Sequence, residues 1–226
     1  GTAKFYRGNG KLEYSLTFKS GKQTGIRTEY YENGNIKAEK ELADGILHGI
    51  SRYYYENGKV ERETPFEDGQ EKGMEFRYHK NGRVASETPY KNGSKNGSEK
   101  SYYESGNLKT IAVYRNGKLA GIKNEYYDEL SEILKEEAAY KNDKINGLRR
   151  SFRKNGEVKI EMTYRSGEKV SGYIYLPNGK TLKLIYSGNI LKSGFRIDTD
   201  KTELPMKKWE IEQYQSSDIF ERSDIK

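Results

Sequence analysis

The hydrophobic and polar positions of this chain recur every 24 residues from its beginning to about Phe195. Within one period Ile36, Ala38, Lys40 and Leu42 alternate with Lys37, Glu39 and Glu41, the period-two pattern of a strand whose two sides meet different surroundings. The same slots hold Val60 and Phe66, Val84 and Tyr90, Leu108 and Tyr114, Leu134 and Tyr140, Val158 and Tyr164. A second extended run follows, Ile50 to Tyr55 in one period, and its most regular column is Tyr6, Tyr30, Tyr54, Tyr78, Tyr102, Tyr126 and Phe152. Two kinds of turn separate the runs: one with glycines four apart, Gly21/Gly25 through Gly117/Gly121, and one with Asn-Gly, as at Asn33-Gly34 and Asn57-Gly58. Each period is therefore a two-stranded unit. The chain is predicted to be all-β, an elongated single-layer antiparallel meander of about eight 24-residue β-hairpin repeats, stable through stacking of neighbours because no single hairpin would be.

Turn length decides which residues share a face. A two-residue Asn-Gly loop would pair Tyr31 with Ile36, whereas a three-residue Glu-Asn-Gly loop pairs Tyr30 with Ile36 and puts both apolar columns on one side. The three-residue loop is expected. On that register Glu39, Glu63, Glu87, Glu137 and Glu161, with Lys37, Lys109, Lys135 and Lys159, form a solvated charge ladder on the opposite face. Pro65 and Pro89 cannot donate to a ladder, so their strands are expected to end or bulge there. Residues 128–137 insert two positions and read either as a short helix or as a lengthened turn; the return of Leu134, Lys135, Glu137 and Tyr140 to the repeat columns favours the turn. Past Phe195 the pattern stops. The expected organisation is a repeat array over 1–197 and a C-terminal cap over 198–226, helical from Pro205 to Tyr214, with Met206 and Trp209 on one side and Trp209 packed on the last repeat.

Composition agrees with one layer. Of 226 residues 33% are hydrophobic and mean hydropathy is −1.05, too polar for a thick core. Cysteine is absent and only His48 and His79 occur, which leaves neither a thiolate metal site nor a histidine-based triad much to build on. The carboxylate pairs Glu61/Glu63 and Glu137/Glu161 recur in register, unlike a catalytic pair needed once, so no enzyme activity, metal or cofactor is expected. Net charge is +7; residues 198–226 carry −3, which leaves +10 on the array. Such a surface attracts an acidic partner or anionic lipid, while the interspersed glutamates disfavour nucleic acid. No apolar run approaches the ~18 residues of a membrane span. The chain starts without Met and inside a repeat, and the accompanying expectation is an exported protein at the cell surface, secreted or periplasmic, with a cytoplasmic location as the alternative.

The unit Tyr90-Lys-Asn-Gly-Ser-Lys-Asn-Gly97, followed by Tyr102-Tyr103-Glu-Ser-Gly106-Asn-Leu-Lys109, resembles the MORN repeat. More closely it resembles the bacterial variant in the YwqK-like family, labelled as antitoxins. The resemblance spans about residues 3–195 and implies a β-sheet scaffold used for protein or lipid contacts, with no catalytic residue; the antitoxin label implies a toxin partner. The expected function is thus a non-enzymatic scaffold for protein–protein interaction, the alternatives being a peripheral module for anionic phospholipid or an antitoxin. Candidate partner-binding residues are Tyr31, Tyr55, Tyr103 and Tyr127 with Lys37, Lys109 and Lys135.

Overall fold

A computed structural model describes residues 1–215. Apart from one helix, Lys208–Gln215, they form strands, 22 in all, paired antiparallel in an open sheet. The expected loop is present. Tyr31 N–H donates to Asn35 O at 2.9 Å and Gly34 N–H to Tyr31 O at 3.0 Å, which isolates Glu32-Asn33-Gly34 as a three-residue loop and sets Tyr30 opposite Ile36. Asparagine recurs because its Oδ1 accepts the N–H two residues on, Asn35 at 2.9 Å here, and Gly34 recurs because its φ is 88°. The same register pairs Tyr54 with Val60, Tyr78 with Val84, Tyr126 with Leu134 and Phe152 with Val158.

The second turn has two residues, both left-handed, as at Asp44 (φ 52°) and Gly45 (φ 86°). Two such residues match the twist of a tight hairpin, and Ser, Asp or Asn fills the first place because a short polar side chain tolerates it. The strands Val60–Glu67 and Val84–Lys91 run straight through Pro65 and Pro89, contrary to the expectation that they end or bulge. The interruption lies in the neighbouring strand instead. Lys72 N–H reaches Pro65 O at 3.0 Å and Asn96 N–H reaches Pro89 O at 2.9 Å, and the adjoining Gly97 has φ 126° and would bring a Cβ within 2.9 Å of the Pro89 ring.

A further irregularity changes the faces. Register shifts between Glu29 and Tyr30, leaving Lys37 unpaired opposite that step, so Ile36 shares a face with Glu39 and Ala38 lies on the other. The glutamate row expected opposite the tyrosine column is therefore beside it: the Tyr54, Tyr78 and Tyr102 hydroxyls donate to Glu39, Glu63 and Glu87 at 2.6, 2.9 and 3.0 Å.

The chain divides into two compact units. The first comprises residues 1–109 and 114–117. Its Ala38, Ser51, Thr64, Glu75 and Thr88 are buried on one face of the sheet, covered by the long side chains of neighbouring strands. Arg62 Cζ lies 4.0 Å and Lys40 Nζ 5.6 Å from the centre of the Tyr53 ring, while Thr64 Oγ1 and Arg77 Nε each donate to the Glu75 carboxylate at 2.8 Å. Small residues lie where large neighbours fold over them. The second unit comprises residues 110–113 and the chain from Lys118. Here the buried face is apolar, with Ile160, Met162, Ile174, Leu182, Leu184 and Leu191 forming a core that Met206 completes. The segment at 128–132 is a lengthened turn, closed by Tyr127 N–H to Ile133 O at 2.9 Å.

The repeat continues one turn beyond Phe195. Asp198 N–H donates to Thr202 O, Lys201 N–H to Asp198 O, and Thr202 N–H to Asp200 Oδ1, the bonding of the Asn-Gly loops. Asp200 stands for asparagine, Lys201 takes the left-handed place at φ 67°, and the strand Glu203–Pro205 follows. The cap then differs from expectation in its anchor. Met206 is buried and Ile211 and Tyr214, one helical turn apart, pack on the core, but Trp209 is 58% exposed. Two residues before Ile211, Trp209 points about 200° away around the helix. Residues 216–226 of the expected cap lie outside the described residues. Met206→Ala is accordingly expected to destabilise by about 2 kcal/mol or more, and Trp209→Ala by less than ~0.5 kcal/mol, as read by urea unfolding.

Candidate interaction surfaces

The candidate tyrosines sit at the loop edge, one residue past the strand ends, and the hydroxyls of Tyr31, Tyr55 and Tyr127 reach across repeats. Tyr31 donates to Tyr54 O at 2.6 Å, Tyr55 to Tyr78 O at 2.6 Å, and Tyr127 to Phe152 O at 2.9 Å. Other residue types in the same column do the same. Arg7 Nη2 donates to Tyr30 O at 2.9 Å, Arg153 reaches Tyr175 O, and His79 Nε2 lies 3.0 Å from Tyr102 O, which fixes its proton on Nε2. His79 thus stands in for tyrosine, with a function in the column. Burial, and after it the nearby Glu61, shifts the ionisation of Tyr31 and Tyr55 to higher pH.

Each candidate lysine follows its own course. Lys37 Nζ lies 6.0 Å from the Tyr31 ring centre and Lys109 Nζ 5.4 Å from that of Tyr103, bringing these pairs together. Lys135 pairs with Glu125 Oε1 at 2.5 Å, and Lys154 lies over Tyr127 at 5.6 Å from the ring centre. Among the described residues no group of three His, Asp or Glu side chains could hold a metal ion.

The broad face that carries the tyrosine column holds three rows across the strands of the first unit. The first contains the pairs Tyr30/Ile36, Tyr54/Val60 and Tyr78/Val84. Beside it runs Thr28, Glu39, Arg52, Glu63, Phe76, Glu87 and Lys100, each opposite the next. Arg52 Nε donates to Glu63 at 2.8 Å, which with a smaller contribution from the Tyr78 hydroxyl holds that carboxyl below the usual range. The third row is Ile26 opposite Glu41, Ile50 opposite Pro65 and Met74 opposite Pro89. Ile26, Ile50 and Met74 remain 48, 39 and 40% exposed. Their 24-residue recurrence was visible in the sequence; their exposure was not, because it depends on the bulge at Lys37 and on which face finds cover. In the second unit Ile122 and Leu148 are exposed in the same slot.

Hairpins of this period, stacked edge to edge and braced from loop to loop, define a β-repeat scaffold. The chain belongs to the MORN repeat variant family, which matches residues 1–20, 23–43, 47–68, 71–92, 95–116 and 145–166, more than half its length. The unmatched stretch 117–144 contains the lengthened turn. No curated protein matches the chain. Among solved structures, those titled Crystal Structure of TcdB2-TccC3-Cdc42 and Crystal Structure of TcdB2-TccC3 share 12 and 13% identity with it, at a TM-score of 0.23 in both cases. The matches cover 90% of this chain and 14% of those chains, and likeness at that score carries no argument about function.

Burial, and after it the bond to Glu39 or Glu63, pushes the Tyr54 and Tyr78 hydroxyls from 10.0 up to about 12. The folded state holds these protons more tightly than the unfolded one, so the stability they contribute is full below pH 10 and lost as pH rises through 12. A phenolate absorbance titration is expected to show tyrosines ionising late, with unfolding midpoints falling over the same window; uniform ionisation near 10 with unchanged stability would contradict these contacts.

Proposed function

We propose that the chain is a non-enzymatic repeat scaffold that binds a protein partner through the face bearing the tyrosine and aliphatic rows. The observation that carries this reading is the exposed row Ile26, Ile50 and Met74, held in register by consecutive hairpins of a chain only 33% hydrophobic. An apolar centre with a rim of aromatic and charged groups is what a protein interface offers. An antitoxin role would be one case of such binding, with a toxin as the partner. Anionic lipid is disfavoured on this face because Glu39, Glu41, Glu63 and Glu87 outnumber Arg52 and Lys100 around the row.

The test is affinity capture from an extract of the source organism, with the chain and its Ile50→Asp variant as baits, alongside flotation with anionic and neutral vesicles. A protein retained by the chain and lost with Ile50→Asp is expected, with no preference for anionic vesicles. Salt-sensitive binding to anionic vesicles with no protein recovered would replace the scaffold with a lipid module.

A further inference from the structure

Resting on the scaffold reading above, we infer that the segment docked on the first unit is a basic amphipathic helix lying across the strands along Ile26, Ile50 and Met74. Geometry selects a helix. Pairing of Glu39 with Arg52 and of Glu63 with Phe76 carries the aliphatic row across six consecutive strands, in the order Ile26, Glu41, Ile50, Pro65, Met74 and Pro89. Successive aliphatic anchors are two strands apart, ~9.6 Å. A helix repeats the same face every seven residues, or about 10.5 Å. Anchors at i, i+7 and i+14 therefore meet Ile26, Ile50 and Met74 with about 2 Å of accumulated drift. Intermediate apolar residues at i+11 and i+18 fall over Pro65 and Pro89. An extended peptide on the same course repeats one side every ~6.8 Å and loses step, and strand addition has no opening because the row lies inside a paired ladder.

Charge selects the helix's polar side. The protein as a whole is +7, yet the row and the strip beside it hold Glu39, Glu41, Glu63 and Glu87 against Arg52 and Lys100. Only Glu63 of these is ion-paired among the described residues, with Arg52; Glu39 and Glu87 accept tyrosine hydroxyls, and Glu41 faces Ile26. Lysines or arginines along one flank of the helix would meet that strip, while an acidic helix would be repelled by it.

The test uses three labelled synthetic peptides of equal length in fluorescence anisotropy with the full chain. One is helical with leucines at i, i+7, i+11, i+14 and i+18 and lysines on one flank, one has the same residues shuffled, and one has glutamates for the lysines. Binding by the first alone is expected, weakened about tenfold or more by Ile50→Asp or by the milder Met74→Ser, weakened by salt, and unaffected by Trp209→Ala. Circular dichroism melts matching the parent chain establish that the variants are folded. Equal binding by the shuffled peptide, or binding indifferent to both variants, overturns the inference. Failure of the basic peptide while a captured protein still depends on Ile50 overturns the helix and leaves the scaffold; loss of both overturns both.

Discussion

The structure depends on satisfying one backbone carbonyl per repeat. The bulge at Lys37 that brings Ile36 to the tyrosine face also ends the pairing between successive hairpins at Ala38 and Tyr53, so the carbonyl of Tyr54 lies just past the last rung. A buried carbonyl without a donor costs free energy comparable to a lost hydrogen bond. Its donor comes from the preceding loop: Tyr31 for Tyr54, Tyr55 for Tyr78, His79 for Tyr102, Tyr127 for Phe152. A second loop donor joins it at several steps, Lys11 Nζ to Glu32 O and Asn35 Nδ2 to Glu56 O, both at 2.7 Å. Each repeat thereby completes the hydrogen bonding of the next, the nearest-neighbour coupling expected of a quasi-one-dimensional array.

That coupling lets so polar a chain fold. In the first unit the buried face consists of Ala38, Ser51, Thr64 and Thr88 under arginine, lysine and tyrosine side chains, with Glu75 held by Thr64 and Arg77. In the second unit the same role passes to Ile160, Met162, Ile174 and Leu184, and Gly194 leaves room for Met206, whose sulfur would stand 2.6 Å from a Cβ there. Methionine fits this position because its unbranched chain threads a narrow gap.

The period, the strands, the three-residue loops and the pairing of Tyr30 with Ile36 were legible in the sequence because each rests on local rules: alternation, glycine at left-handed positions, asparagine bonding two residues ahead. What depended on neighbouring strands was not. Lys37 gives no sign that it is the unpaired residue, so Glu39 was assigned to the wrong face. Asp200-Lys201 forms the same loop as Asn-Gly without its glycine, which hid the final turn. Trp209 looked like an anchor by size alone, whereas the spacing of Ile211 and Tyr214 decides which way the helix faces. The candidate tyrosines were recognisable as a column, but their carbonyl partners lie 23 or 25 residues away and are set by stacking.

The substitutions nature has made within the column, arginine at 7 and 153 and histidine at 79, indicate that a donor is required there and that a phenol is not. The most direct measurement is urea unfolding of Tyr55→Phe beside Tyr55→His. Phenylalanine, which keeps the ring and removes the donor, is expected to cost about 1 kcal/mol, and histidine to restore most of it by donating from Nε2 as His79 does. Tyr55→Phe as stable as the parent chain, or histidine no better than phenylalanine, would contradict that requirement.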